Sequence, residues 1–343
     1  MELRPGKAPL ELLEAIVFKK LGRPDPDVLV GPAYGEDAGV VRLPGGLVLA
    51  AHCDPITAAS RYAGWLAVNV AANDVAVRGV RPRWLLVLLL LPAGGRVELL
   101  EDLASQAGEA ADSIGATIIG GHTEAAPGLR QPLIAVAALG VGRGFIRTSG
   151  ARPGDVIIMT KTAAVEGTAI LATDYASELE RRGVPRGLIE RASRFIRRVS
   201  VVREALTLAE RGLADSMHDP TEGGVLGGVA EMAYASNVTI TVYENRIPVA
   251  PETRALARAA GLDPLRLISS GSLLAAVPRG MASRALEALA AEGVEASIIG
   301  EVEDASGEPG AVLVRSDGSR VILPRQVEDE IYRVAEAWGL GGG

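Results

Sequence analysis

The stretch Tyr34 to Gly39, YGEDAG, sets two carboxylates, Glu36 and Asp37, between glycines and directly before the apolar pair Val40-Val41. Further acids recur at the ends of apolar runs: Asp54 in AHCDP, Asp74 in NDVAV, Glu124 in GGHTE and Asp219 in HDPTEGG. Carboxylates that close strands converge at one edge of a sheet, and such hard oxygen ligands suit Mg2+, which in turn bridges to phosphate oxygens. The pattern predicts a metal and phosphate site at Asp37, Asp54, Asp74 and Asp219. The ordinary alternative for each acid alone is a cap or a turn.

All three histidines, His52, His122 and His218, stand within two residues of an acid. A zinc hydrolase would use them as ligands, but the chain has no HExxH motif and no closely spaced histidine pair. Hydrogen bonding or acid–base work beside a phosphate suits them better, with His122 the candidate. Two glycine pairs, Gly120-Gly121 after a strand and Gly223-Gly224 opening a helix, expose backbone N–H groups of the kind that cradle phosphate. Tight packing uses glycine equally. Lys161, at a strand end in TKTAAVEGTA and one of four lysines, is a candidate point charge for phosphate. Glu166 reads as a first-turn acid favoured by the helix dipole. A GxxxxGKS/T loop is missing, and the glycines from Gly140 to Gly144 lack GxGxxG spacing and lead into no helix, so neither standard nucleotide fingerprint applies.

These residues need elements to hold them. Apolar spacing predicts a helix over 10–21, strands over 38–43 and 46–51, and a long small-residue helix over 60–79 capped by Ser60, with Asn69 and Asn73 on one face. Strands follow at 84–91, 116–119 and 133–141, with a helix at 97–114. The glycine- and proline-rich RTSGARPGD, Arg147 to Asp155, marks a boundary between a domain of residues 1–150 and one of 151–343. Beyond it come a strand at 156–160, helices at 166–180, 201–211 and 224–235, a strand at 238–243 and a helix at 252–260. A strand at 272–277 and a helix at 281–292 lead to short strands at 296–302, 311–314 and 320–323 and a last helix over 326–338. The alternation is α/β in character.

Composition narrows the setting. With 343 residues, 48% hydrophobic, 22% charged and a net charge of −7, the chain suits a soluble two-domain protein with no global attraction to nucleic acid or anionic membrane. The longest apolar run, Trp84 to Leu91, is far short of the ~20 residues that a membrane helix needs. A start without a signal-peptide core, and the single cysteine Cys53, point to the cytoplasm and exclude an internal disulfide.

Taken in order, GEDAGVV, AHCDP, NVAANDVAVRGVRP, GGHTEAAPG, ARPGDVIIMTKTAAVEGTAIL, HDPTEGGVLGGVAEMA and SSGSLLAAVP resemble the aminoimidazole ribonucleotide synthetase superfamily over nearly the whole chain. Within it, the TK…EGTA and DPTEGG segments are most similar to the HypE-like, synthetase-related branch. The resemblance implies a two-domain α/β (α+β) PurM-like fold, whose N-terminal sheet pairs with that of a second subunit to form a barrel across a homodimer. It implies ATP in a cleft with Mg2+ held by acids at Asp37, Asp54, Asp74 and Asp219, and Gly120, Gly121 and Thr123 in a nucleotide segment. His122 falls where relatives carry Asp, Glu or His. The expected activity is ATP-dependent activation of an oxygen of a small substrate, by phosphoryl transfer or dehydration. The alternative is a nucleotide-binding partner in maturation or regulation with reduced catalysis. HypE-type proteins end in a cysteine that receives a carbamoyl group, whereas this chain ends at Gly343, so that reaction is not expected in the same form.

Overall fold

The computed structural model describes residues 5–339. The contrast with a terminal cysteine falls on residues 340–343, outside the described residues. Two sheets organise the chain. The first contains β1 (Val28–Val30), β2 (Gly39–Leu43), β3 (Leu47–Ile56), β4 (Trp84–Pro92), β5 (Thr117–Ala126) and β6 (Leu133–Gly142), in the order β1-β2-β3-β6-β4-β5. The second contains β7 (Asp155–Thr160), β8 (Ser216–His218), β9 (Thr239–Tyr243), β10 (Leu274–Pro278), β11 (Ala296–Glu303), β12 (Gly310–Val314) and β13 (Arg320–Ile322), in the order β13-β12-β9-β11-β7-β10-β8. Most pairs are antiparallel; β5 runs parallel to β4, and β12 parallel to β9.

The helices are α1 (Leu10–Leu12), α2 (Ala63–Ala76), α3 (Val97–Ile114), α4 (Val165–Asp174), α5 (Ala176–Arg181) and α6 (Arg186–Ser193), then α7 (Val202–Glu210), α8 (Gly224–Ser236), α9 (Pro251–Ala260), α10 (Ala282–Ala291) and α11 (Ile331–Trp338). Every residue of α2 is buried, which explains its alanine-rich composition: it lies between the first sheet and α3. Small side chains permit that approach, since a Cβ on Gly64 would stand 2.4 Å from the Leu103 carbonyl oxygen. Asn73 on the same helix ties the two halves together, donating to the Val199 carbonyl at 2.9 Å and accepting from the Val201 N–H at 2.8 Å. One continuous apolar core spans both sheets, from Val30 and Val40 through α2 to Ile158 and Val277, and a smaller one lies between α8 and the outer face of the second sheet.

Several expected boundaries shift. The first helix is one turn, α1, followed by a π-helical turn over Leu13–Val17. Ser60 caps nothing: α2 begins at Ala63, and the Ser60 N–H instead reaches Asp174. The predicted 166–180 helix breaks at Tyr175 into α4 and α5, and α11 starts five residues later than expected, at Ile331. Two predicted strands run longer and so move site residues into their interiors. Asp54 lies within β3, and Gly120 to Glu124 lie within β5 rather than in a loop after it. The reason for the second is a bulge: between Leu85 and Leu86 the β4 register slips past Ile119, and pairing then resumes at Gly120 and Gly121. At Gly121 the backbone has φ +148° and a Cβ would meet the Val87 carbonyl oxygen at 1.8 Å, so only glycine continues the strand there.

β5 is an outer strand whose residues are almost all exposed, Ile118 and Ile119 among them, and Leu86 on the neighbouring β4 is exposed as well. The sheet does not close on itself.

Candidate functional site

The loop before β2, strand β3, helix α2 and the end of β8 bring four acids to one point. Asp37, Asp74 and Asp219 offer carboxylate oxygens within 4.8 Å of one another, and His52, Asp54 and Asp74 form a second such group. Period-two alternation puts His52 and Asp54 on the same face of β3. Asp219 is fully buried and Asp74 nearly so. Both Asp219 oxygens and Asp74 Oδ2 lack a hydrogen-bond donor. An unpartnered buried carboxylate costs several kcal/mol as an ion, ~3–5 by analogy with a broken buried pair. Burial pushes Asp74 up to about 7, opposed by His52, whose Nε2 lies 3.5 Å from Oδ2, and reinforced by repulsion from Asp37 and Asp54. Burial and the neighbouring Asp74 and Asp37 likewise raise Asp219 well above the usual carboxylate range.

This oxygen-rich set with orphaned buried lone pairs fits a hard divalent cation. Asp37, Asp74 and Asp219 would hold it, with Asp54 and His52 beside them.

Asp37 differs from the others because positive groups already surround it. Arg78 Nη2 lies 3.0 Å from its Oδ2, the Thr148 hydroxyl donates to the same oxygen at 2.9 Å, and His218 Nδ1 stands 2.6 Å from Oδ1. Burial would raise this carboxyl, but His218 and Arg78 outweigh it and hold the group below the ordinary value. Glu36, its neighbour in YGEDAG, takes Arg78 Nη1 at 2.6 Å and the Ser149 hydroxyl at 2.5 Å. Glu36 is thus committed to a clamp, and Asp37 to both clamp and site. His218 is sandwiched, its Nε2 lying 2.9 Å from Glu231 on α8. Burial opposes its charge, yet Asp37 and Glu231 push it up to about 10. Glu231 in turn meets Lys7 Nζ at 3.3 Å. Asp37, Asp54, Asp74, His52, His218, Glu231 and Lys7 line a cavity of about 230 Å³ bounded further by Tyr34, Leu10 and Phe18, whereas Asp219 and Arg78 are not among its lining residues.

Other expected site residues fall elsewhere. His122 is exposed on β5 and pairs with Glu124 at 3.1 Å. Neither it nor Gly120, Gly121 or Thr123 lines the acid cavity of the same chain. Lys161 is also remote, at φ +57°, with its ammonium 2.7 Å from Glu204 and donating to the carbonyls of Arg198 and Ser200 at 3.0 and 2.6 Å. It borders a separate cleft with Arg197, Arg198 and Arg203. The Gly223 and Gly224 N–H groups, expected to cradle phosphate, have partners within the chain. The Gly223 N–H goes to Asp329 at 2.7 Å and the Gly224 N–H to the Thr221 carbonyl at 3.1 Å, so the helix start is capped from within.

Sequence reasoning missed Arg78, His218 as a site group, Glu231 and Lys7. Arg78 sits four residues beyond Asp74, two past the end of α2, as the first cation after an apolar helix; that was its available signal. Glu231 gave the same hint as a single acid inside the apolar GGVAEMA. Lys7 gave none, since its contacts lie more than 200 residues away.

Comparison with known proteins gives concordant matches. Residues 35–142 match the N-terminal domain, and residues 152–311 the C-terminal domain, of AIR synthase related proteins. A protein of Methanocaldococcus jannaschii named for hydrogenase expression/formation is 32% identical over 280 residues, covering 79% of this chain and 78% of that one. A selenide, water dikinase of Myxococcus xanthus is 29% identical over 323 residues, covering 84% and 88%. Among solved structures, the hydrogenase maturation protein HypE in complex with ATP superposes with a TM-score of 0.71 at 24% identity, over 97% of this chain and 98% of that one. The fold is the mixed α/β, two-domain PurM-like fold.

Proposed function

Because the chain belongs to the AIR synthase related family, we propose that it is an ATP- and Mg2+-dependent enzyme that activates an oxygen of a small substrate, by phosphoryl transfer or by ATP-driven dehydration. The observation that carries this reading is the pair Asp74 and Asp219, buried, adjacent and short of hydrogen-bond donors. Bound Mg2+ would supply charge neutralisation at the transferring phosphoryl group. The chain's own residues prepare for it. Arg78 and Thr148 fix the Asp37 carboxylate, and His218, held between Asp37 and Glu231, sets its direction. Lys7, which lines the cavity and is held by Glu231 and the Thr221 hydroxyl, offers a cation there.

The division at residues 150/151 belongs to the same reading, as do a homodimer and a cytoplasmic setting. No described helix is long and apolar enough to cross a membrane. We assign the exposed β5 segment Gly120, Gly121, His122 and Thr123 to the nucleotide at the homodimer interface, with a maturation protein as a further partner.

The test is ADP release from ATP with MgCl2 or with EDTA, across a panel of small acceptors. Asp74→Asn and Asp219→Asn should each reduce Mg2+-dependent release on the order of 10²-fold or more. Unchanged release in both variants overturns the metal assignment. Nucleotide binding without release under every condition overturns the enzymatic one.

A further inference from the structure

Next to the acid cavity lies a second one of about 240 Å³, which shares Lys7, Asp54 and Thr221 with it. Two of its wall groups are unusual. Glu166 on α4 and Ser270 are almost wholly buried, yet Glu166 Oε2 and the Ser270 hydroxyl have no hydrogen-bond partner. They are neighbours, but no bond of ordinary geometry joins them. Nor does Glu166 serve as a helix cap, because the Gly167 N–H in its turn goes to the Ile268 carbonyl at 2.9 Å. Groups left unmade in this way cost roughly 1–3 kcal/mol each, which a structural role does not repay.

The electrostatics select what fills the space. Glu166, Asp54 and Glu222 all border the cavity, and Asp329 acts on Glu166 from beyond it. The one cation, Lys7, is already engaged with Glu231 and the Thr221 hydroxyl. Burial, opposed by the adjacent Ser270 hydroxyl and reinforced by Asp329, Asp54 and Glu222, pushes Glu166 up to about 8, the sign of a pocket short of positive charge. An inorganic cation is a poor answer: among the described residues, neither group able to hold a metal includes Glu166. Ile56, Val70 and Ile268 add apolar wall, Thr57 also lines the cavity, and the Tyr332 hydroxyl there is engaged with Glu222.

We propose that this cavity is the acceptor pocket and takes a small organic cation, an amine or amidine, whose N–H groups donate to the Glu166 carboxylate and the Ser270 hydroxyl. The inference rests on the enzymatic reading above. It places the acceptor where the shared wall of Lys7, Asp54 and Thr221 gives its other end access to the acid cavity.

Saturation-transfer NMR and calorimetry of the full chain at pH 7.5 test it, with ethylamine and acetamidine as probes and ethanol and acetate as size-matched controls. The two nitrogenous probes should bind at least tenfold more tightly than the controls. Glu166→Gln should remove that preference, as should Glu166→Leu, while Mg2+-dependent binding of a non-hydrolysable ATP analogue stays within twofold of the parent. Equal binding of all four probes overturns the proposal, and so does amine binding that survives Glu166→Gln. If Glu166→Leu does not fold, the isosteric Gln variant decides. A failed nucleotide reading is distinguishable: the parent then binds no ATP analogue with Mg2+ yet retains its preference for amines.

Discussion

Asp219 and Arg78 show opposite ways of burying a charge. Asp219 has no donor for either carboxylate oxygen, whereas Arg78, fully buried, satisfies Glu36 and Asp37 together. Removing each should therefore have opposite effects. Asp219→Asn is expected to raise the melting temperature of the metal-free protein, because it removes a buried carboxylate without a partner. The same change should abolish the stabilisation by MgCl2, which for the parent amounts to about 2.7 kcal/mol at 100 times Kd. Thermal melts with and without MgCl2 check both. Arg78→Met strips Glu36 of its cation and leaves Asp37 with His218 alone, and should cost about 3–5 kcal/mol in urea unfolding. At this scale the acids were legible in the sequence, because turn residues and strand ends flag them. Their partners were not: Arg78, Thr148 and His218 reach Asp37 from three separate stretches of chain, and no local pattern encodes that meeting.

Among the elements, β5 carries the most consequence. Its extension through Gly120 to Ala126 was hidden because paired glycines read as a loop, and only the bulge opposite Leu85 and Leu86 lets a strand continue through them. Gly121→Ala should accordingly destabilise the first sheet by more than about 2 kcal/mol, combining a left-handed-side φ with a clash against the Val87 carbonyl, as chemical denaturation will measure. The outer edge of β5 has neither proline nor lysine to deter pairing. For the homodimer proposed above, Ile119→Lys is expected to give monomer in sedimentation velocity while leaving the melting of the isolated subunit nearly unchanged. By contrast, β4, α3 and β6 were read almost to the residue, since long apolar or strongly amphipathic runs leave little choice. Short elements such as β1, β8 and α6 escaped because three to eight residues carry too little periodicity.

For the molecule as a whole, buried acids set the response to pH. Burial raises Asp74 and Asp329 to about 7 and Glu166 to about 8. Folded acids with raised pKa hold protons that the unfolded chain has already lost, so stability falls as pH rises from the unfolded value near 4 through the folded values. His218, raised to about 10, acts in the same direction, its contribution being complete below about 6.5 and lost as pH climbs through 10. Asp37 and Glu231, held low, act oppositely and lose their contribution only as pH falls below about 4. The metal-free protein should thus be most stable near pH 5, and calorimetric scans from pH 4 to 9 in EDTA should show a decline on both sides. Glu166→Gln should flatten part of the alkaline decline. The two-sheet architecture and its family were readable from ordered motifs, but this coupling of charges was not, because it depends on which acids the fold conceals together.

The clamp on Asp37 also bears on synthesis. Its holders arrive in sequence: Arg78 early, Thr148 at the junction of the two sheets, His218 and Glu231 far into the second half. A ribosome that has released only the first sheet has made Asp37 and Arg78 but not the imidazole that closes the ring around them. The first half therefore emerges unfinished, its acidic corner open to water until some 80 further residues have followed Thr148. Completion of the site then coincides with docking of the second half, so a nascent chain gains the acid cluster proposed to hold a cation only after α8 has left the tunnel.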